Sequence, residues 1–551
     1  MLTTITFIAF TLLVAIISYY ATRKTNESSA DGYFLGGRSL TAGVIAGSLL
    51  LTNLSTEQIV GLNGSAYESG LSVMAWETLA AIAMVVTALF LLPRYLKGGL
   101  TTVPQFLAKR FDVTTKTITS GLFLTGYVVV LLPVILYSGS LAISGMFNIP
   151  EAFNITETQS IWLCVWGIGI IGSIYAVFGG LKAVAVSDSI NAIGLLIGGL
   201  LIPVFGLMAI GDGSIMDGIA ILTTEHPDKF KSMGSPTDPV PFYTIFTGMM
   251  LVQLFYWGTN QQIIQRALAA KNLQEGQKGL LLGSFIKILG PLIVVLPGII
   301  AYHMFNGNLE TADQAYPMLV AEVLPPVLLG FFAAIIFGAI LSSFNSVLNS
   351  SVTLFGIDIY KQHINPDAEE ALVVKQGKRF GLFLALAAMF IAPFIANAGS
   401  LFDYLQEING IYSIPILTII IVGYLTKRVP AIAAKIGLLS GSILYILSQF
   451  VLQPYFIEKA LAKAGEAGIT DTAELAAIKA QAYFGLHFLD VMAILFALNV
   501  VIMLIIGKLK PRSEDYVQEY TKQVDITPWK YAKPVGIGVI IVVAGIYVYF
   551  R

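Results

Sequence analysis

Seven ionisable side chains lie in stretches that are otherwise apolar: Glu57, Glu77, Asp188, Lys287, Asp403, Glu407 and Asp490. Burying a charge in such surroundings is costly, so each needs a partner, a polar cavity or a function. Asp490 stands near the end of its stretch and reads as interfacial. Lys287 stands centrally in Gly283-Ser284-Phe285-Ile286-Lys287-Ile288-Leu289-Gly290 and demands a carboxylate. Glu77, in Met74-Ala75-Trp76-Glu77, is the candidate. A purely structural ion pair could be replaced by apolar packing at little cost, which favours a functional pair.

Hydroxyls form the second set. Ser342-Ser343-Phe344-Asn345-Ser346 follows an apolar run ending Ala339-Ile340-Leu341. Paired hydroxyls can complete an oxygen cage for a small hard cation. Small hydroxyls also mediate helix packing, so both readings stay open on the residues alone. The rest of such a cage would be carbonyls freed by a broken helix, and two polar interruptions offer one. The first is Thr52-Asn53-Leu54-Ser55-Thr56-Glu57-Gln58, followed by Gly61 and Gly64. The second is Gln253 with Tyr256-Trp257-Gly258-Thr259-Asn260-Gln261-Gln262.

Enzyme chemistry finds no foothold. There is no phosphate-binding loop, dinucleotide fingerprint or nucleophile elbow. Cys164 is single, and His226, His303, His363 and His487 share no metal-ligand spacing along the chain. A net charge of −1 without basic runs argues against nucleic acid.

The elements that must position these residues are membrane spans. Apolar residues make up 56% and charged residues 12% of the 551 positions, with a mean hydropathy of +0.78. Soluble domains carry about 25% charge. A helix needs about 20 apolar residues to cross a bilayer. Fourteen stretches qualify, at about 2–21, 40–62, 73–97, 117–146, 158–178, 183–211, 241–262, 277–304, 325–355, 377–397, 399–426, 430–454, 485–507 and 531–550. We number them spans 1 to 14. The first is followed, not preceded, by Arg23 and Lys24, so it reads as a retained span. Of the 32 Lys and Arg, 25 fall in alternate connections or the span ends beside them, 6 in the others, and one, Lys287, in the middle of a span. Cytoplasmic loops concentrate these residues, so both termini are expected outside. The external segments Ile215–Leu222 and Leu461–Ala482 are expected as short surface helices.

Interrupted spans at matching positions of two halves mark the binding site in many transporters. Spans 2 and 7 are five apart and must run in opposite directions. An inverted repeat follows, with spans 2–6 (40–211) set against spans 7–11 (241–426). A first span and loop (1–39), an external loop (212–240) and three C-terminal spans (427–551) flank it. Span 11 is also disturbed, by Asp403, Gln406, Glu407, Asn409, Gly410 and Pro415.

Several segments are similar to the solute:sodium symporter family. They are Gly32-Tyr33-Phe34-Leu35-Gly36-Gly37-Arg38-Ser39-Leu40 through Asn53–Gly61, then Tyr175–Val184 with Asp188 following. Further along come Tyr256–Arg266, Leu296-Pro297-Gly298, and Ser342-Ser343 with Asp358-Ile359-Tyr360-Lys361. They run in order from about Asp31 to Leu425, and most resemble the bacterial sodium/sugar branch. The resemblance implies an all-α membrane fold of the LeuT-like type, with two inverted five-helix repeats. It implies a sodium-coupled symporter that imports a sugar or sugar derivative by alternating access at the cell (inner) membrane, working as a monomer. It implies a sodium site of the carbonyls of Leu51, Leu54 and Ala339 with the hydroxyls of Ser342 and Ser343. A second sodium would use Asp188, Ser342 and Ser346, although Asn345 replaces a serine there. Gln58, Glu77, Lys287 and Gln406 match groups that hold sugar hydroxyls, and Tyr256 matches the inner gate. Leu62, Trp76 and Phe402 fall at the outer gate. Gln253 stands where the sodium/galactose relative has asparagine, and Ala80 where it has serine, which puts galactose in doubt.

The alternatives are the same fold carrying an inositol, amino acid or vitamin, coupling to protons through Asp188, and a membrane sensor. An anionic solute would favour an unpaired arginine, and no arginine falls in the middle of the fourteen spans.

Overall fold

In the computed structural model the chain is helical throughout, and no strand occurs among the described residues. The structure describes residues 2–22, 29–236, 238–397, 401–469 and 471–551; some side chains within these, including 175–180 and 401–404, are outside the description. Eleven helices among the described residues are long and apolar enough to cross a bilayer. They account for spans 1, 3, 4, 6 and 8 to 14. Two of the other three expected spans are broken. Span 2 is split into Ala42–Asn53 and Thr56–Ser69, and span 7 into Gly248–Gly258 and Gln261–Leu268. Span 5 shares one helical run with span 6, Glu157–Ile210, and the junction expected near 179–182 abuts side chains outside the description.

Span 11 is not broken. It is one helix, Leu401–Leu425, with Pro415 inside it. Proline removes one intrahelical donor, and neighbouring helices can satisfy the freed carbonyl. Ile215–Glu225 forms a surface helix, and the later loop forms two, Gln453–Glu466 and Thr472–Gln481.

Alternation of the connections is realised in space. Arg38, after span 1, donates to the carbonyls of Gly99 and Leu100 after span 3, and of Leu268 at the end of span 7. Arg110 donates to carbonyls of Gly423, Thr426 and Val429, and Arg512 donates to the Arg110 carbonyl. One end of the molecule therefore gathers the basic connections. At the other end Lys229 holds the carbonyls of Tyr67 and Glu68, and Ser232 N–H bonds to the carbonyl of Phe550 near the C-terminus.

The start of span 2 pairs with the end of span 7. Leu40 N–H bonds to the Ala269 carbonyl at 3.1 Å, and Lys271 N–H returns to the Leu40 carbonyl at 3.1 Å. The two broken spans therefore run antiparallel, one entering where the other leaves.

Candidate functional site

The break in span 2 comes from two residues with non-helical backbone. Leu54 has φ −78° and ψ 57°, and Ser55 is extended at φ −87° and ψ −179°. The ladder stops with Leu54 N–H on the Leu50 carbonyl, and resumes with Gln58 and Ile59 N–H on the Ser55 carbonyl. The carbonyls of the turn Leu51–Leu54 thus lie at a helix end, where orphaned acceptors need partners. Span 9, within the helix Pro326–Thr353, faces them with hydroxyls. Ser343 Oγ donates to the Thr52 carbonyl at 3.0 Å, and Thr52 Oγ1 lies 3.4 Å from Ser342 Oγ and 3.3 Å from Ser346 Oγ. Leu51, Leu54, Ala339, Ser342 and Ser343 are all buried. Oxygen atoms of two spans therefore converge on the break, and Thr52, not among the expected ligands, belongs to the group.

A second cluster lies beside the break. Lys287 Nζ is 2.8 Å from Glu77 Oε1 and 2.6 Å from Oε2. Gln58 Nε2 donates to Glu77 Oε1 at 2.9 Å, and Lys287 also donates to the side-chain carbonyl of Asn53. Lys287 lies over the Trp257 ring at 5.6 Å. Gly290 makes room for the acid, since a Cβ there would come within 2.2 Å of Glu77 Oε2. Gln253 donates to the Trp76 carbonyl at 2.8 Å and accepts from Trp257 Nε1 at 3.2 Å. Spans 2, 3, 7 and 8 thus build one buried polar set with no net charge. Tyr256 and Gln406 are half-buried, and no described hydrogen bond ties Gln406 to the set. Leu62 and Trp76 are buried, while the side chain of Phe402 lies outside the described residues.

Arg266, just past the expected end of span 7, adds a buried charge. The second half of span 7 continues to Leu268 and carries this arginine into the interior, fully buried. Its Nε donates to Ser48 Oγ at 2.9 Å, and its terminal nitrogens serve the Gln262 carbonyl and the Ser346 hydroxyl. Asp188 Oδ2 lies 3.9 Å from the guanidinium and accepts from Ser48 Oγ at 2.6 Å. An arginine is therefore enclosed in the interior, and it faces two of the residues expected at a second sodium. Gln261–Leu268 reads as a polar connection because three glutamines and an arginine interrupt it. Every one of its residues is nonetheless buried, because protein and not lipid surrounds it.

A model of the sodium:solute symporter family matches residues 33–441. The chain belongs to that family. An uncharacterized symporter of Escherichia coli (strain K12), YidK, is 48% identical over 98% of this chain and 90% of its own length. The sodium/glucose cotransporter of Vibrio parahaemolyticus is 33% identical over 76% of this chain and 79% of its own. Among solved structures, a substrate-bound, outward-open Na+-coupled sialic acid symporter superposes with a TM-score of 0.71. It covers 93% of this chain and 99% of its own at 18% identity, which speaks to the fold. This sodium:solute symporter is thus a LeuT-like, multi-pass transporter of the cell membrane and not an enzyme, coupling a small solute to sodium.

Proposed function

We propose that this symporter imports a neutral, hydroxyl-rich solute, a sugar or sugar derivative, by alternating access. The observation that carries the reading is the buried Gln58–Glu77–Lys287–Asn53 set, which balances in charge and offers donors and acceptors beside the indole face of Trp257. Hydroxyls can exchange partners with such groups, whereas a charged solute would leave one charge uncompensated. Trp and Tyr rings suit the apolar faces of sugar rings. The 33% identity to a sodium/glucose cotransporter supports the same class.

In this reading Gln58, Glu77, Gln253, Lys287 and Gln406 hold the solute, Tyr256 closes the inner side, and Leu62, Trp76 and Phe402 close the outer side. Sodium sits among the carbonyls of Leu51, Leu54 and Ala339 and the hydroxyls of Ser342 and Ser343, and orders span 2 against span 9. The repeats are 40–211 and 241–426, and a single protomer suffices. The basic end faces the cytoplasm, so both termini lie outside. One charge crossing 100 mV contributes about 2.3 kcal/mol, and a tenfold sodium gradient about 1.4 kcal/mol. Together these sustain solute accumulation of a few hundredfold with one sodium.

The test is uptake of a labelled sugar panel into proteoliposomes, with and without an inward sodium gradient, for wild type and Ser343→Ala. Sodium-dependent accumulation of one sugar, shifted to higher sodium in the variant, is the expected result. Uptake of no sugar overturns the solute class, and uptake that follows pH instead of sodium overturns the ion site.

A further inference from the structure

At the end of the molecule away from the basic loops, three potential ligands converge. Glu225 ends the surface helix Ile215–Glu225, His226 caps it, and His303 lies in the last turn of Leu296–Met304, at the end of span 8. Their donor atoms all lie within 4.8 Å of one another. His226 Nε2 is 3.2 Å from His303 Nδ1, and His303 Nδ1 is 3.4 Å from Glu225 Oε2. Metal–ligand bonds of about 2.0–2.2 Å place tetrahedral ligands roughly 3.3 Å apart. Both separations are close to that edge, and the third pair lies within 4.8 Å.

We propose that Glu225, His226 and His303 form a binding site for a borderline divalent transition ion, Zn2+ or a neighbour in the series. Two imidazoles and one carboxylate suit such an ion, and the half-exposed position leaves a fourth place for water. The surroundings hold the ligands in place. Tyr302 packs edge-on against His226 at 5.2 Å and against Tyr67 at 5.4 Å. Lys229 lies over the Tyr302 ring at 4.0 Å and donates to the carbonyls of Tyr67 and Glu68, which fixes the ring in place. The ion would join the loop after span 6 to the end of span 8, next to the outer half of span 2.

The test is titration of the purified full chain in detergent with Co2+, a coloured stand-in for Zn2+. One equivalent should give the visible absorption of a tetrahedral nitrogen–oxygen site, displaced by Zn2+, and Zn2+ should raise the melting temperature. His303→Ala and Glu225→Gln should each weaken binding by about tenfold or more and remove the thermal shift. Glu225 is exposed, so its variant keeps the test valid should His303→Ala fold poorly. No absorption in wild type, or binding unchanged in both variants, overturns the site. Neither outcome bears on the solute, because the measurement needs none.

Discussion

Lys287 Nζ lies 2.6 Å from Glu77 Oε2, and the two side chains are 1% and 0% exposed. Removing one partner of such a pair leaves a buried charge uncompensated and costs about 3–5 kcal/mol. Replacing both by apolar groups can be nearly neutral. Lys287→Met should therefore lower the melting temperature of the solubilised protein sharply, and Glu77→Leu with Lys287→Met should restore most of it. Uptake should stay abolished in the double variant. Restored uptake would make the pair structural only.

Ser343 Oγ reaches the Thr52 carbonyl at the break in span 2. Ser343→Ala removes one oxygen from the proposed sodium cage and one buried hydrogen bond, at a cost of about 1–3 kcal/mol in stability that the melting temperature reads separately. The sodium concentration for half-maximal uptake should rise on the order of tenfold, equivalent to about 1.4 kcal/mol. Solute affinity at saturating sodium should change little. An unchanged sodium dependence would move the cage elsewhere.

Most spans and both breaks are legible in the chain itself, because lipid leaves a strong hydropathy record and a polar break stands out against it. Lys287 likewise announces itself, since an ammonium in an apolar run demands a carboxylate. Arg266 does not. Its segment is polar in sequence yet wholly enclosed, and hydropathy does not separate enclosure by protein from exposure to water. The bond from Gln253 to the Trp76 carbonyl is equally hidden, because it joins residues on spans 3 and 7 through packing alone. His226 and His303 lie 77 positions apart and meet only through the folded loop.

Asp112 caps the helix Val113–Gly126 by accepting from Thr115 N–H at 2.8 Å, and accepts from Lys435 Nζ at 2.8 Å at the start of span 12. Partial burial pushes its carboxyl up, but Lys435 and Thr115 outweigh that and hold it below the ordinary range. A depressed folded value means stability is present above the unfolded value and lost as pH falls through the folded one. Asp112→Ala should cost about 1 kcal/mol near neutral pH. That difference should shrink as the pH falls below the ordinary carboxylate range and the wild-type carboxyl protonates. A cost that is constant with pH would assign the effect to packing.

Arg266 bears on how many sodium ions move. Asp188 and Ser346, two of the groups expected at a second sodium, already face its guanidinium, and Asn345 stands where a third hydroxyl was expected. A fixed positive charge beside Asp188 disfavours a mobile one at the same place, since like charges in a low-dielectric interior repel strongly. The expected ratio is one sodium per solute, read from the reversal potential of coupled flux in proteoliposomes. Arg266→Lys keeps the charge but cannot serve Ser48, the Gln262 carbonyl and Ser346 together, because an ammonium lacks the planar fork. It should slow uptake and leave the ratio at one. A ratio of two in wild type would show that sodium shares Asp188 with the arginine, and would return Asp188, Ser342 and Ser346 to the ion path.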